Sequence, residues 1–321
     1  MLFSKKLIVA FSTLAIPFVN GQARPANTSI CDFYTTALLG NLTAENQLTL
    51  LTLVVNTVVI GNYTKPNVGI MVPGILAPGM QDGTPVDLLK YFNGSLKTTN
   101  RGGNRVSVNF LDDGGAAALM QNKPANTQSS NQYFLLTHLY QIFGTLLGCS
   151  QQADGSAFPT YSGNPSQFDV HRFMNLSKPE VDYFITQVGL AAASFGVATA
   201  DVMAVGQALN TTFGQRCSPP EMIVQGQGSQ LQDICINPDC PLATNAMCAL
   251  YEAAATSTSP SGSAMSTMSA ASSGAGGSAI APSGSAKATG TSAGNALVAF
   301  SAGWSLVAVL VAGCFGFALI L

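Results

Sequence analysis

The stretch "NQYFLLTHLYQIFGTLLGC", residues 131–149, sets the reading of this chain. Phe134, His138 and Ile142 are four residues apart and share one face of a helix, with Leu135, Leu139 and Phe143 flanking it. Gly148 supplies a stop, and Cys149 offers a staple at the helix end. A histidine inside an apolar stripe is a polar group that costs free energy to bury unless it finds a partner.

The helical pattern continues on both sides. Downstream, Asn164-Pro165 predicts a helix start, with Asn as N-cap and Pro in the first turn, on an element carrying Phe168, His171 and Met174. Ser177-x-x-Glu180 is a capping box with Pro179 inside the first turn. The helix it opens runs through Val181, Phe184, Ile185 and Val188 to about Phe195, and Gly196 closes it. Thr199 caps a last helix with Val202, Val205 and Leu209 inward, stopped by Cys217, Pro219 and Pro220. Upstream, "AENQLTLLTLVVNTVVIG" (44–61) is too long for a strand despite its β-branched residues, and predicts a buried helix ending at Gly61. Cys31 to Gly40 predicts a shorter helix.

Between Asn62 and Ser130 Gly and Pro recur, which predicts long loops with a short strand at Val106 to Leu111 and a helical turn at Leu88 to Phe92. Asp112 and Asp113 are adjacent in a Gly-rich loop and read as a solvated turn rather than an acid–base pair. The fold class expected is mostly α, with one long Gly/Pro-rich loop insertion.

The two ends read differently from the middle. Residues 1–21 have the plan of a secretory signal: Lys5 and Lys6, an apolar run from Leu7 to Val19, then small or polar residues. Residues 22–250 form the expected ectodomain. Residues 251–296 are dominated by Ser, Ala, Gly, Thr and Pro and read as a stalk. Residues 297–321 are an apolar tail with no basic residue after it, which fits a GPI-anchor signal, with Ser283, Gly284 and Ser285 as attachment candidates. An ordinary C-terminal membrane helix is the competing reading. Asn27, Asn41, Asn62, Asn93, Asn175 and Asn210 each begin an N-x-Ser/Thr sequon. All this predicts an extracellular glycoprotein tethered to the plasma membrane, with membrane lipid and cell-wall glycan as candidate partners.

Without Cys314 in the tail, Cys31, Cys149, Cys217, Cys235, Cys240 and Cys248 form an even set. In an oxidising compartment they predict three disulfides, among fifteen pairings. A zinc site competes, but the histidines lie far along the chain from the cysteine-rich segment. The formal net charge is -2 and no basic run exists, so nucleic acid is not an expected partner.

The chain has only two histidines, His138 and His171, on apolar stripes of different predicted helices. Haem iron is one partner for such imidazoles, since the porphyrin faces bury hydrocarbon while a neutral ring nitrogen binds the metal. A core histidine bonded to a backbone carbonyl is the plain alternative. In "THLYQIFGTLLGC", "FPTYSG" and "FDVHRFMNLSKPEVDYFITQVGLAAASFGVATADVMAVGQAL", Gly148, Tyr161, Gly163 and His171 fall in an order that resembles the truncated haemoglobins, over about residues 131–213. The resemblance implies a globin-like helical domain, stapled by disulfides, with His171 as the proximal ligand and His138 as a second ligand or distal donor. It implies Phe168, Met174, Phe184 and Val188 as pocket walls. "CDFYTTALL" looks like the family's Phe-Tyr segment, which would make Tyr34 a distal hydrogen-bond donor, and "LLKYFNG" looks like its next aromatic turn. A bound haem would suit gas binding, sensing, redox or peroxide chemistry, with a small gaseous or peroxide ligand.

Two rivals stand beside haem binding. A cofactor-free, glycosylated surface or wall module accounts for the ends, sequons and cysteines equally well. A hydrolase lacks support, because residues 22–250 contain no G-x-S-x-G elbow, no H-E-x-x-H, and no Rossmann or P-loop glycine pattern.

Overall fold

The computed structural model describes residues 24–256. The expected signal (1–21), most of the stalk, the GPI candidates Ser283, Gly284 and Ser285, and the apolar tail lie outside the described residues. The described part is 42% helical, with eight α-helices and two small antiparallel hairpins.

Helix α1 spans Ile30–Leu39 and α2 spans Ala44–Ile60. Each starts on a hydroxyl cap: Ser29 Oγ accepts the Asp32 N–H at 3.0 Å, and Thr43 Oγ1 accepts that of Asn46 at 3.2 Å. Gly40 and Gly61 end them, as expected. Gly61 has φ +83°, and a Cβ there would lie 2.6 Å from the carbonyl oxygens of Val72 and Pro73. Only glycine lets the chain double back along α2. Helix α2 buries Leu50, Leu51, Val55, Val58 and Val59, and packs against α1, α4 and α6. Its β-branched residues form a helix because it is long and enclosed on several sides.

Helix α4 spans Asn131–Leu147, capped by Ser130 and ended by Gly148 in the left-handed region. Helix α6 spans Lys178–Ser194 behind the expected capping box of Ser177 and Glu180. Helix α7 spans Thr199–Phe213 and packs on α6; its N-cap is Ala198, one residue before the expected Thr199.

The six cysteines form three disulfides: Cys31–Cys149, Cys217–Cys248 and Cys235–Cys240. The first ties the start of α1 to the residue after Gly148. The other two hold the segment after α7, where Cys235 N–H bonds the Phe213 carbonyl and Ile236 N–H that of Leu176.

Three expectations need correction. The insertion between Asn62 and Ser130 is mostly loop and holds the expected short strand and helical turn, but it carries further regular structure that was not expected. It holds the hairpin β1 (Gly79–Gln81) with β2 (Thr84–Val86), a 3-10 turn at Leu89–Tyr91, the hairpin β3 (Asn93–Arg101) with β4 (Asn104–Asn109), and the short helix α3 (Gly115–Leu119). Both hairpins turn on two residues with positive φ, Asp82-Gly83 and Gly102-Gly103, which matches strand twist. Strand β3 is polar on both faces, so it carries no alternating signal.

The helix bearing His171 is shorter and later than expected: α5 spans only Gln167–His171, with Ser166 as cap. Asn164 Oδ1 accepts the Ser166 N–H at 2.9 Å, so Asn164-Pro165 forms the turn before the cap. Met174 lies beyond this helix. Finally, helix α8 spans Cys248–Thr256 and buries Tyr251, so folded structure runs past the expected boundary at 250. Among the described residues no helix is long and apolar enough to cross a membrane.

Candidate functional site

His138, in the third turn of α4, and His171, at the end of α5, line one cavity of about 290 Å³. Its other walls are the loop at Tyr161, Gly163 and Asn164, and the tip of the β3–β4 hairpin from Thr99 to Gly103. Asn100 ties that tip to α5, its Nδ2 donating to the Asp169 carbonyl at 2.8 Å and to Asp169 Oδ1 at 3.1 Å. Asn164 Nδ2 donates to Asp169 Oδ2 at 2.7 Å. Asp169 thus joins three chain segments around the cavity. Gly163 makes room for the imidazole: a Cβ there would lie 2.7 Å from His138 Cδ2 and 2.3 Å from the Tyr161 oxygen.

The two imidazoles are held alike. His138 Nδ1 is 2.6 Å from the Phe134 carbonyl oxygen, and His171 Nδ1 is 2.8 Å from that of Gln167. Each carbonyl belongs to the residue four positions back and can only accept. In the neutral ring Nδ1 therefore carries the proton and Nε2 keeps its lone pair. No hydrogen bond reaches either Nε2 from the described residues. Burial holds His171 below the ordinary histidine range, with the Gln167 carbonyl opposing, so its neutral form is favoured. His138 packs on Phe134 with ring centroids 4.0 Å apart and meets Tyr161 edge-on at 5.7 Å. The Tyr161 hydroxyl donates to the Asn164 carbonyl at 3.0 Å, and burial raises its pKa.

A second, apolar cavity of about 100 Å³ shares Leu135, Leu139 and His171 with the first. Val55, Met174, Val181 and Phe184 are among its walls. Glu180 is its carboxylate. It accepts from the Tyr91 hydroxyl at 2.9 Å and pairs with Lys90 at 2.9 Å. Desolvation pushes its pKa up, but the Ser177 N–H and Lys90 win and hold it below the usual range.

The expected site residues therefore divide. His138 and His171 meet at one cavity, and Met174 and Phe184 line the adjoining one. Phe168 lines neither; it is buried against Tyr251, ring centroids 4.8 Å apart, beside Cys217. Tyr34 lines neither, because its hydroxyl donates to Asp201 Oδ2 at 2.9 Å and accepts the Ala198 N–H at 2.9 Å. Val188 is core. Asp112 and Asp113 hold backbone: Asp112 accepts from the N–H groups of Asn131 and Gln132 at the start of α4, and Asp113 from Thr127. Sequence reasoning missed Arg101, Asn100 and Asp169, which are polar residues without periodic spacing. Of the sequon asparagines, Asn27, Asn41, Asn62, Asn93 and Asn175 are exposed, while Asn210 is half-buried and accepts from Lys178 Nζ at 3.3 Å.

Among the described residues no three His, Cys, Asp or Glu side chains gather as a metal site. Two imidazoles alone suit a bare ion poorly. No protein-family model, curated protein or solved structure matches this chain.

Proposed function

We propose that the described domain is a haem-binding module, in which His171 would hold the iron and His138 would serve as a second ligand or a hydrogen-bond donor. One observation carries this reading: two imidazoles from separate helices line the same cavity while a carbonyl four residues back holds each Nδ1. Pinning the far nitrogen fixes the tautomer and ring orientation that a ligating histidine needs. Burial keeps His171 unprotonated, so the lone pair stays available at neutral pH. Met174, Phe184 and Val181 supply apolar walls. The order of α4, the Tyr161–Gly163 loop, α5, α6 and α7 supports a globin-like arrangement. When bound, the iron supplies reversible ligation of a small gas or peroxide, or one-electron redox chemistry. Haem is larger than either cavity alone, so this reading requires them to join through the partition of Leu135, Leu139 and His171.

On the same reading the module is a secreted glycoprotein, tethered through a GPI lipid and close to cell-wall glycan. Three disulfides and five exposed sequon asparagines support an extracellular setting.

The test is a visible spectrum of the full chain, purified with detergent and titrated with haemin. A saturable Soret band that is lost in His171→Ala and altered in His138→Ala is expected. The second reading, a cofactor-free surface module, is favoured by the modest size of both cavities. A folded, colourless wild type after titration selects it and overturns the haem proposal.

A further inference from the structure

A third cavity, of about 340 Å³, is lined by neither histidine and lies where β4, α5 with the residues just after it, and helix α8 converge. Three of the chain's five arginines line it, namely Arg105, Arg172 and Arg216, against one carboxylate, Glu252. Such a concentration of cations is unexpected in a chain of formal net charge -2.

The guanidinium groups are incompletely satisfied. Arg105 and Arg172 each sit 4.8 Å from the centroid of the Phe173 ring, so the two charges are less than ten ångström apart. The ring faces attract both, but two cations this close repel. Arg105 is exposed and finds no hydrogen-bond acceptor or carboxylate among the described residues. Arg172 is 8% exposed. Its Nη1 donates to the Ala254 carbonyl at 2.6 Å. Its Nε lies 3.5 Å from Asp169 Oδ1 and makes no hydrogen bond. The Asp169 carboxylate is already shared with Asn100 and Asn164. Arg216 spends Nε on the Cys240 carbonyl at 3.0 Å, which anchors the side chain and leaves its terminal nitrogens without an acceptor among the described residues. The remaining walls are apolar: Phe168, Ile236, Tyr251 and the Cys217–Cys248 disulfide.

A buried cation with an orphaned donor, two more arginines at the same cavity and an aromatic lining have one common complement. We propose that this cavity binds a small organic oxyanion, a carboxylate or phosphate ester carried on an apolar body. Arg105 and Arg216 donate to the head group through their planar forks, Arg172 adds charge from behind, and Phe168 and Tyr251 receive the body. The volume suits a ligand of about one aromatic ring, near the low end of the ~300–1,000 Å³ range of small-molecule sites.

The experiment is calorimetric titration of the full chain with phenyl phosphate and with benzoate, using inorganic phosphate as a third arm. Saturable binding of phenyl phosphate or benzoate is expected, weakening as salt rises. The tighter of the two names the head group. Arg105→Ala should weaken binding about tenfold or more, the size of one lost charge-assisted contact, and Arg105→Lys less. Arg105 has no structural hydrogen bond, so circular dichroism should match wild type in both variants. Absence of saturable binding by either organic anion overturns the proposal. So does unchanged affinity in Arg105→Ala, or inorganic phosphate binding as tightly as phenyl phosphate. His171→Ala should bind the anion normally, so this site and the haem reading stand or fall separately.

Discussion

Tyr34 donates its hydroxyl to Asp201 across 167 residues of sequence, at 2.9 Å and in a buried setting. Arg24 closes on the other oxygen of the same carboxylate at 2.8 Å, and the Ala198 N–H bonds the tyrosine oxygen. Burial raises the Tyr34 pKa to about 12. The group therefore locks α1 to the start of α7, and does so as a neutral phenol. Tyr34→Phe should cost roughly 1–3 kcal/mol, because a buried carboxylate oxygen and a backbone N–H lose a partner together. Thermal melting checks it, and the Soret titration should be unchanged if Tyr34 plays no part in haem binding.

Removing the disulfides should rank by loop length. Cys31–Cys149 closes a separation of 118 residues and Cys235–Cys240 one of 5. Chain-entropy reasoning gives about 5 kcal/mol for the first and about 2 kcal/mol for the second. Denaturant midpoints of the paired Cys→Ala variants measure the order, and the reverse order would show that native packing, not chain entropy, sets it.

Acid should act through His171. Burial depresses its folded pKa below 6.5. As pH falls past that value the unfolded chain takes up the proton before the folded one does. Stability is thus complete above about pH 6.5 and is lost progressively below it. Melting temperatures compared between pH 7.5 and pH 5 should drop more in wild type than in His171→Gln. Equal drops would mean the imidazole is not desolvated in solution.

Gly163→Ala tests the cavity directly. The added methyl would meet the Tyr161 oxygen and the His138 ring, both well inside contact distance. One of the rings must move, at a cost of about 1–3 kcal/mol. The His138 ring resonances in an NMR spectrum should shift while those of His171 hold. If neither moves, the cavity is looser than the structure has it.

Much of the helical frame was legible in the sequence. The capping box of Ser177 and the stops Gly40, Gly61, Gly148 and Gly196 act on their own neighbours within a turn, whereas the caps expected at Asn164 and Thr199 fall at Ser166 and Ala198. Local chemistry of that kind shows in short stretches of chain. Of the β3–β4 hairpin, β4 was read within two residues at Val106 to Leu111, but β3 was hidden because its residues are polar on both faces.

The cysteine count by itself determined three bridges, and the apolar spacing gave α6 its inward face; on α4 the buried face is that of Gln132, Leu136, Tyr140 and Phe143, while Phe134 of the expected stripe is exposed. Which cysteines pair is a question of where distant segments meet, and the same holds for the site. The family resemblance grouped Phe168 with Met174 and Phe184 as pocket walls, and the pattern put Phe168 and Met174 on one helix. The end of α5 at His171 breaks that continuity and turns Phe168 toward Tyr251 and the arginines. His138 and His171 share a cavity whose other walls, the hairpin and the loop, are tied to Asp169 by Asn100 and Asn164. Periodicity reports which face of an element is apolar; it carries no information about which other face that one meets. That choice belongs to tertiary packing, where contacts between residues far apart in the chain decide the free energy.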